Sequence, residues 1–190
     1  MSVMDPGLRD ELLAMAAADQ DARQRLDCHP RPSQGMSEQE FTAAEQIRAV
    51  DATNTARMKA IVQACGWPGR SLVGDDGAQA AWLLVQHADR DPAFQRLCLE
   101  LLNGAVRAGE ADARHHAYLS DRVLLAEGGQ QLYGTQFLVA GGRWQLRPLA
   151  DPDRVEDRRR QVGLEPLADY HRRFEELHLE GDEDKPPHNE

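Results

Sequence analysis

His87 stands in Gln86-His87-Ala88-Asp89, directly after an almost wholly apolar helical run, Ala80-Ala81-Trp82-Leu83-Leu84-Val85. An imidazole carried into an interior is a versatile acid or base, because it titrates near working pH. Other polar side chains recur on the inward side of apolar stripes: Asp19 with Arg23, Asp51 with Asn54, Gln86, Gln95, and one histidine or Arg122. Such groups are costly to bury singly and strong when matched. Their recurrence in five patterned segments predicts a shared polar centre. It serves either as a substrate pocket or as a set of structural pairs such as Asp19 to Arg23, which are i,i+4 neighbours.

Within this inventory His87, His116, Asp51 and Tyr133 are the candidate catalytic residues. Asp19, Arg23, Asn54, Gln86, Gln95, Arg122 and Gln136 are candidates for holding substrate. His115-His116 can turn one imidazole inward, and the spacing leaves open which. A histidine pair with a third ligand such as Asp51 or Asp121 can hold a divalent metal, although no His-Glu-x-x-His spacing is present. No redox cofactor motif occurs. Tyr133-Gly134-Thr135-Gln136-Phe137 alternates like a strand, with Tyr133 placed to donate to a substrate oxygen or simply to pack a hairpin on the helices. Ser71, Ser120 and Thr135 lack a Gly-x-Ser-x-Gly elbow. Arg158-Arg159-Arg160 either turns one guanidinium inward toward an anion or forms a solvated face paired with Asp153, Glu156, Asp157 and Glu165.

The elements that position these groups read as mainly helical. A first helix from Pro6 carries Leu8, Leu12, Met15, Asp19, Arg23 and Leu26 on one side. A breaker-rich passage, Cys28 to Gly35, reads as a linker. Ser37 with Glu40 is a capping box for a helix whose inner face is Phe41, Ile47, Val50 or Asp51, Asn54, Met58, Ile61 and Cys65. Gly66-Trp67-Pro68-Gly69 ends it. Ser71 to Gly77 reads as a glycine-rich connection without the Gly-Lys-Ser/Thr ending of a phosphate loop. Ala78 to Ala88 is apolar nearly all round, the mark of a central helix. Asp91-Pro92 starts the next helix and Gly109 stops it. Another follows over roughly Glu110 to Ala126. Gln130 to Ala140 and Arg143 to Leu149 read as a hairpin through Gly141-Gly142. Asp151-Pro152 starts a short helix, and Pro166 to Leu177 is the last. The expected architecture is a single helical domain over 5–178, a bundle of six to seven helices with a hairpin at about 131–148, and a disordered acidic tail over 179–190.

Composition bounds the function. A chain of 190 residues with net charge -10 is long enough for one sizeable core. Residues 175–190 hold seven acidic side chains against Lys185 alone, so much of the excess charge belongs to the tail. With no basic stripe, duplex nucleic acid is an improbable partner. No apolar run approaches the roughly 18 residues that span a bilayer, and no leader pattern opens the chain, so the expectation is a cytoplasmic protein without membrane attachment. Cys28, Cys65 and Cys98 are too widely spaced for a zinc knuckle.

Gly66-Trp67-Pro68, Leu72-Val73-Gly74, Gln86-His87-Ala88-Asp89, Asp91-Pro92, Phe94-Gln95, Ala117-Tyr118-Leu119 with Asp121-Arg122, and Tyr133-Gly134-Thr135-Gln136 together resemble a family of bacterial proteins known only as a domain of unknown function. The resemblance spans roughly Leu8 to Tyr170 and draws in Asp19, Gln20 and Arg23. It implies no reaction. The residues themselves favour a small enzyme of acid-base chemistry, a hydrolase or group-transfer enzyme acting on a polar or anionic small molecule. The alternative is a non-catalytic binding, inhibitor or immunity-type protein, and a homo-oligomer is compatible with either.

Overall fold

The computed structural model describes residues 4–24, 37–140 and 143–179. Leu26, the expected linker at 28–35, the Gly141-Gly142 turn and residues 180–190 of the expected tail lie outside the described residues, while residue 179 ends the last helix. Seven α-helices and one two-stranded sheet make up the regular elements described.

Helix α1 (Pro6–Gln24) begins with Asp5, whose carboxylate accepts from Leu8 N at 3.0 Å, and with proline at the first helical position. Helix α2 (Glu38–Cys65) has the expected capping box: Ser37 Oγ accepts from Glu40 N and Glu40 accepts from Ser37 N. Its Phe41 is 57% exposed rather than in the inner face. The Arg48 guanidinium lies 5.9 Å from that ring, a solvated cation-π pair in place of core packing. Cys65, in the last turn, is also exposed.

Ser71 to Gly77 is not the plain connection its glycines suggest. Helix α3 (Arg70–Gln86) already includes it as two helical stretches that meet in a kink at Gly74, whose φ of 73° and ψ of 173° are non-helical. Only glycine adopts that conformation readily. Arg70 N donates to Glu110 O at 3.0 Å and Ser71 N to the Glu110 carboxylate at 2.7 Å, which satisfies the free amides of the first turn. From Ala78 onward α3 is the expected central helix: Ala80, Ala81, Leu84 and Val85 are buried, and α1, α2, α4 and α5 all pack on it.

Helix α4 (Pro92–Arg107) starts where Asp91 accepts from Phe94 N at 3.1 Å. Helix α5 (Ala113–Ala126) starts three residues later than the reading from Glu110, because Asp112 is the capping acid, accepting from Arg114 N at 2.8 Å. The main core joins Leu12, Met58, Ile61, Leu84, Leu102 and Leu119. Cys98 is fully buried in it, and burial pushes its thiol up to about 12.

The hairpin is shorter than the sequence suggests. β1 (Phe137–Ala140) pairs antiparallel with β2 (Arg143–Leu146), Phe137 opposite Leu146. Residues 130–136 are irregular apart from a single bridge between Gln131 and Leu149. The cause is Asp121, fully buried on α5, whose carboxylate accepts from Leu132 N at 2.6 Å, Tyr133 N at 3.0 Å, Thr135 N at 3.0 Å and Thr135 Oγ1 at 2.9 Å. Amides spent on a side chain cannot form a ladder. The alternation of Tyr133 and Thr135 therefore does not describe a strand. Gly134 sits at φ 71°, and a Cβ there would fall 2.8 Å from Leu167 Cδ1.

A 3-10 turn (Pro152–Arg154) leads into α6 (Val155–Gln161), and α7 (Leu167–Leu179) follows. Phe137 of the hairpin stacks on Phe174 of α7 at 4.3 Å, with Trp144 edge-on to the same ring at 5.2 Å. The three arginines of α6 divide their work in a way neither sequence alternative describes. Arg159 is fully buried under Tyr170 and donates to Tyr133 O at 2.5 Å and Glu165 O at 2.6 Å. Arg158 donates to Leu132 O at 2.7 Å and Ala150 O at 2.6 Å, while Arg160 pairs with Asp157. Two of the three thus hold loop carbonyls. No helix among the described residues is long and apolar enough to cross a membrane.

Candidate functional site

Three helices bring Asp19, Arg23, Asp51 and His87 together. Asp19 lies one helical turn before Arg23 on α1, which places both on the face toward α2 and α3. His87 is the residue that ends α3, with φ -93° and ψ 3°. Its Nδ1 lies 2.9 Å and 3.0 Å from the two oxygens of Asp19. Arg23 Nη2 reaches Asp19 Oδ1 at 3.2 Å and Asp51 Oδ1 at 2.5 Å. Gln20 Nε2 adds a bond to Asp19 Oδ2 at 2.8 Å.

The contacts assign Nδ1 as the ring nitrogen that donates. Arg23 Nε lies 3.1 Å from His87 Nδ1 and 3.3 Å from Asp19 Oδ2. One ring nitrogen cannot donate to a carboxylate and accept from a guanidinium at once. The charge-assisted bond to Asp19 is the stronger, so Nδ1 carries a proton and donates to Asp19. Nε2 has no hydrogen-bond partner among the described residues.

Electrostatics separates the two acids. Burial alone would raise the Asp19 carboxyl, but the hydrogen bond and charge of His87, with Arg23 and Gln20, outweigh it and hold the group at about 2. Asp51 is raised above its ordinary value, chiefly by burial with Asp19 and Asp89 adding, against the opposing charges of Arg23 and His87. Asp19 is thus a fixed anion beneath the imidazole. Asp51 sits 17% exposed on the far side of Arg23.

A second tier surrounds this centre. Gln95, fully buried, donates from Nε2 to Val85 O at 3.1 Å and Gln86 O at 3.2 Å, carbonyls at the end of α3, of which Val85 O also accepts from Ala88 N. The same amide lies 3.2 Å from Asp89, and Arg122 Nη1 holds both oxygens of Asp89 at 2.8 Å. Gln95 and Arg122 therefore brace the segment carrying His87. Asn54, one turn beyond Asp51, and Gln86 are buried, and Asn54 Nδ2 and Gln86 Oε1 have no partner among the described residues.

The other candidates lie elsewhere. Tyr133 and Gln136 belong to the loop built on Asp121, where Gln136 N donates to Gln131 Oε1 at 2.9 Å and Gln136 Nε2 to Thr135 Oγ1 at 3.1 Å. His116 is half-buried, 3.4 Å from Ser120 Oγ through Nδ1, and burial lowers its titration. Among the described residues no hydrogen bond joins Tyr133, Gln136 or His116 to the His87 network. Nor are three or more His, Cys, Asp or Glu side chains grouped there to hold a metal ion. Asp51 is engaged by Arg23, and Asp121 by the loop amides. Asp89, read only as part of Gln86-His87-Ala88-Asp89, and Gln131 were not among the site candidates, because each follows a turn or helix end, where periodicity carries no signal.

Residues 6–179 match a family described as a family of unknown function, DUF6624. No curated protein and no solved structure matches the chain.

Proposed function

We propose a reaction class for this chain, which belongs to the family of unknown function DUF6624: acid-base hydrolysis or group transfer on a polar small molecule, with His87 as the proton carrier of a cytoplasmic enzyme. The observation that carries this reading is the bond from the imidazole Nδ1 to the fully buried Asp19 carboxylate. A carboxylate in that position orients the ring and stabilises the imidazolium formed when Nε2 takes a proton. A water or substrate hydroxyl loses its proton to Nε2 as it attacks, and the leaving group receives that proton in the following step. Arg23, bonded to Asp19 and Asp51, positions the acids. The unpartnered amide atoms of Asn54 and Gln86 favour a polar substrate, since such atoms are costly to leave unpaired.

A panel of p-nitrophenyl esters and phosphates tests the proposal. Hydrolysis by the natural chain should fall about 100-fold or more in His87→Ala and by about tenfold or more in Asp19→Asn, with kcat rather than KM affected. Absence of turnover across the panel, or His87→Ala at the natural rate, sinks it.

One observation favours the non-catalytic reading. An apolar groove of ≈ 590 Å³ runs along Phe94, Leu97 and Leu101 of α4 and Val62 of α2, and Leu97 is 47% exposed. Exposed apolar surface of this kind is how an interaction protein engages its partner.

A further inference from the structure

One sizeable cleft among the described residues is lined by groups other than His87. It has a volume of ≈ 620 Å³ and lies between α3, α5 and the turn before α7. Its size is that of a small-molecule site. One wall is aromatic: His115 stacks on Trp82 with ring centroids 4.1 Å apart and planes 6° apart, and Tyr118 meets Trp82 edge-on at 5.8 Å. Burial lowers the His115 imidazole to about 4, so at neutral pH it is an uncharged ring. Its nitrogens make no hydrogen bond to a described residue. The Trp82 indole Nε1, shielded from water, has no acceptor either.

The rest of the lining is charged and balanced. Arg70 pairs with Asp75 at 2.6 Å, Arg114 with Asp112 at 2.6 Å, and Arg173 with Glu165. Asp112 is committed to capping α5. The other two pairs reach solvent, Asp75 being 86% exposed and Glu165 half-buried at 35% on their side chains, and such pairs are held weakly. An anion entering one of them would free a carboxylate, and a cation would free a guanidinium. A zwitterion can insert with every charge paired again.

We propose that this cleft binds a free aromatic α-amino acid, its ring against the Trp82–His115 wall and its charged head inserted into the Arg70–Asp75 or Arg173–Glu165 pair. The inference goes beyond the His87 chemistry and does not depend on it. The test is a titration of the full-length protein with L-phenylalanine, glycine, 3-phenylpropanoate and phenethylamine, read at the Trp82 indole N–H resonance and assigned through single Trp→Phe variants. L-phenylalanine should shift that resonance saturably. Each probe lacking the ring, the ammonium or the carboxylate should bind about tenfold or more weakly, as should L-phenylalanine to the Arg70→Ala/Arg173→Ala variant. His87→Ala should leave the affinity unchanged. An unmoved Trp82 resonance, an incomplete probe as tight as L-phenylalanine, an undiminished double variant, or an affinity lost with His87 overturns the proposal.

Discussion

Asp19→Asn examines the His87 dyad without any substrate. The Asp19 carboxyl lies at about 2 against an ordinary 3.8. At about 1.4 kcal/mol per pH unit, this amounts to roughly 2.5 kcal/mol of stability. The group is 1% exposed, so solvent screening discounts the figure little. Because the folded value is the depressed one, the contribution is complete well above pH 3.8 and disappears as pH falls through about 2. By the same linkage about half remains at pH 3. His87 supplies the leading favourable interactions, with Arg23 and Gln20 contributing less. Urea unfolding of the natural chain, Asp19→Asn, His87→Ala and the double variant should therefore give a coupling energy of about 1–2 kcal/mol at pH 7. The Asp19→Asn deficit should shrink toward pH 3. A coupling under about 0.5 kcal/mol, or a deficit that grows on acidification, would refute the view that a charged Asp19 anchors the imidazole.

Further outcomes are expected elsewhere in the fold. Asp121→Ala strands three loop amides and the Thr135 hydroxyl, and should cost about 3 kcal/mol or more in chemical unfolding, with hydrogen exchange at Leu132, Tyr133 and Thr135 sharply faster. A normal exchange pattern there contradicts the assigned role of this carboxylate. Gly74→Ala places a Cβ at φ 73° and 3.2 Å from Asp76 Oδ1, so it should lower stability by about 1 kcal/mol or more, and an unchanged melting temperature counts against the bend. Iodoacetamide at pH 8 should label Cys65 in the native protein and spare Cys98 until denaturant is added, as followed by peptide mass spectrometry.

The helices were legible because their signals are local. Ser37 with Glu40 and Asp91 with Pro92 mark starts through the free amides of a first turn, and the apolar surround of Ala80 to Val85 marks the centre of the bundle. Asp19 and Arg23 were legible as members of a buried polar cluster for a related reason: charge inside an apolar stripe requires a partner, and the partners are His87 and Asp51. The segment 130–136 was misread because its composition suits a strand, while its conformation is dictated by a carboxylate nine or more residues earlier. Ser71 to Gly77 was misread because a glycine in a bent helix looks the same as one in a loop. The aromatic cleft was missed because Trp82 reads as one more apolar residue of the central helix, and its stacking on His115 is a tertiary fact.

The Gln95 amide has a mechanical meaning. It belongs to α4, yet it grips the carbonyls at the end of α3, one residue short of His87. The aim of the imidazole is consequently set from a neighbouring helix whose own first turn is pinned by Asp91. Loosening that turn would tilt the ring away from Asp19 while leaving both helices intact, so the Asp19–His87 bond would part well before the molecule melts.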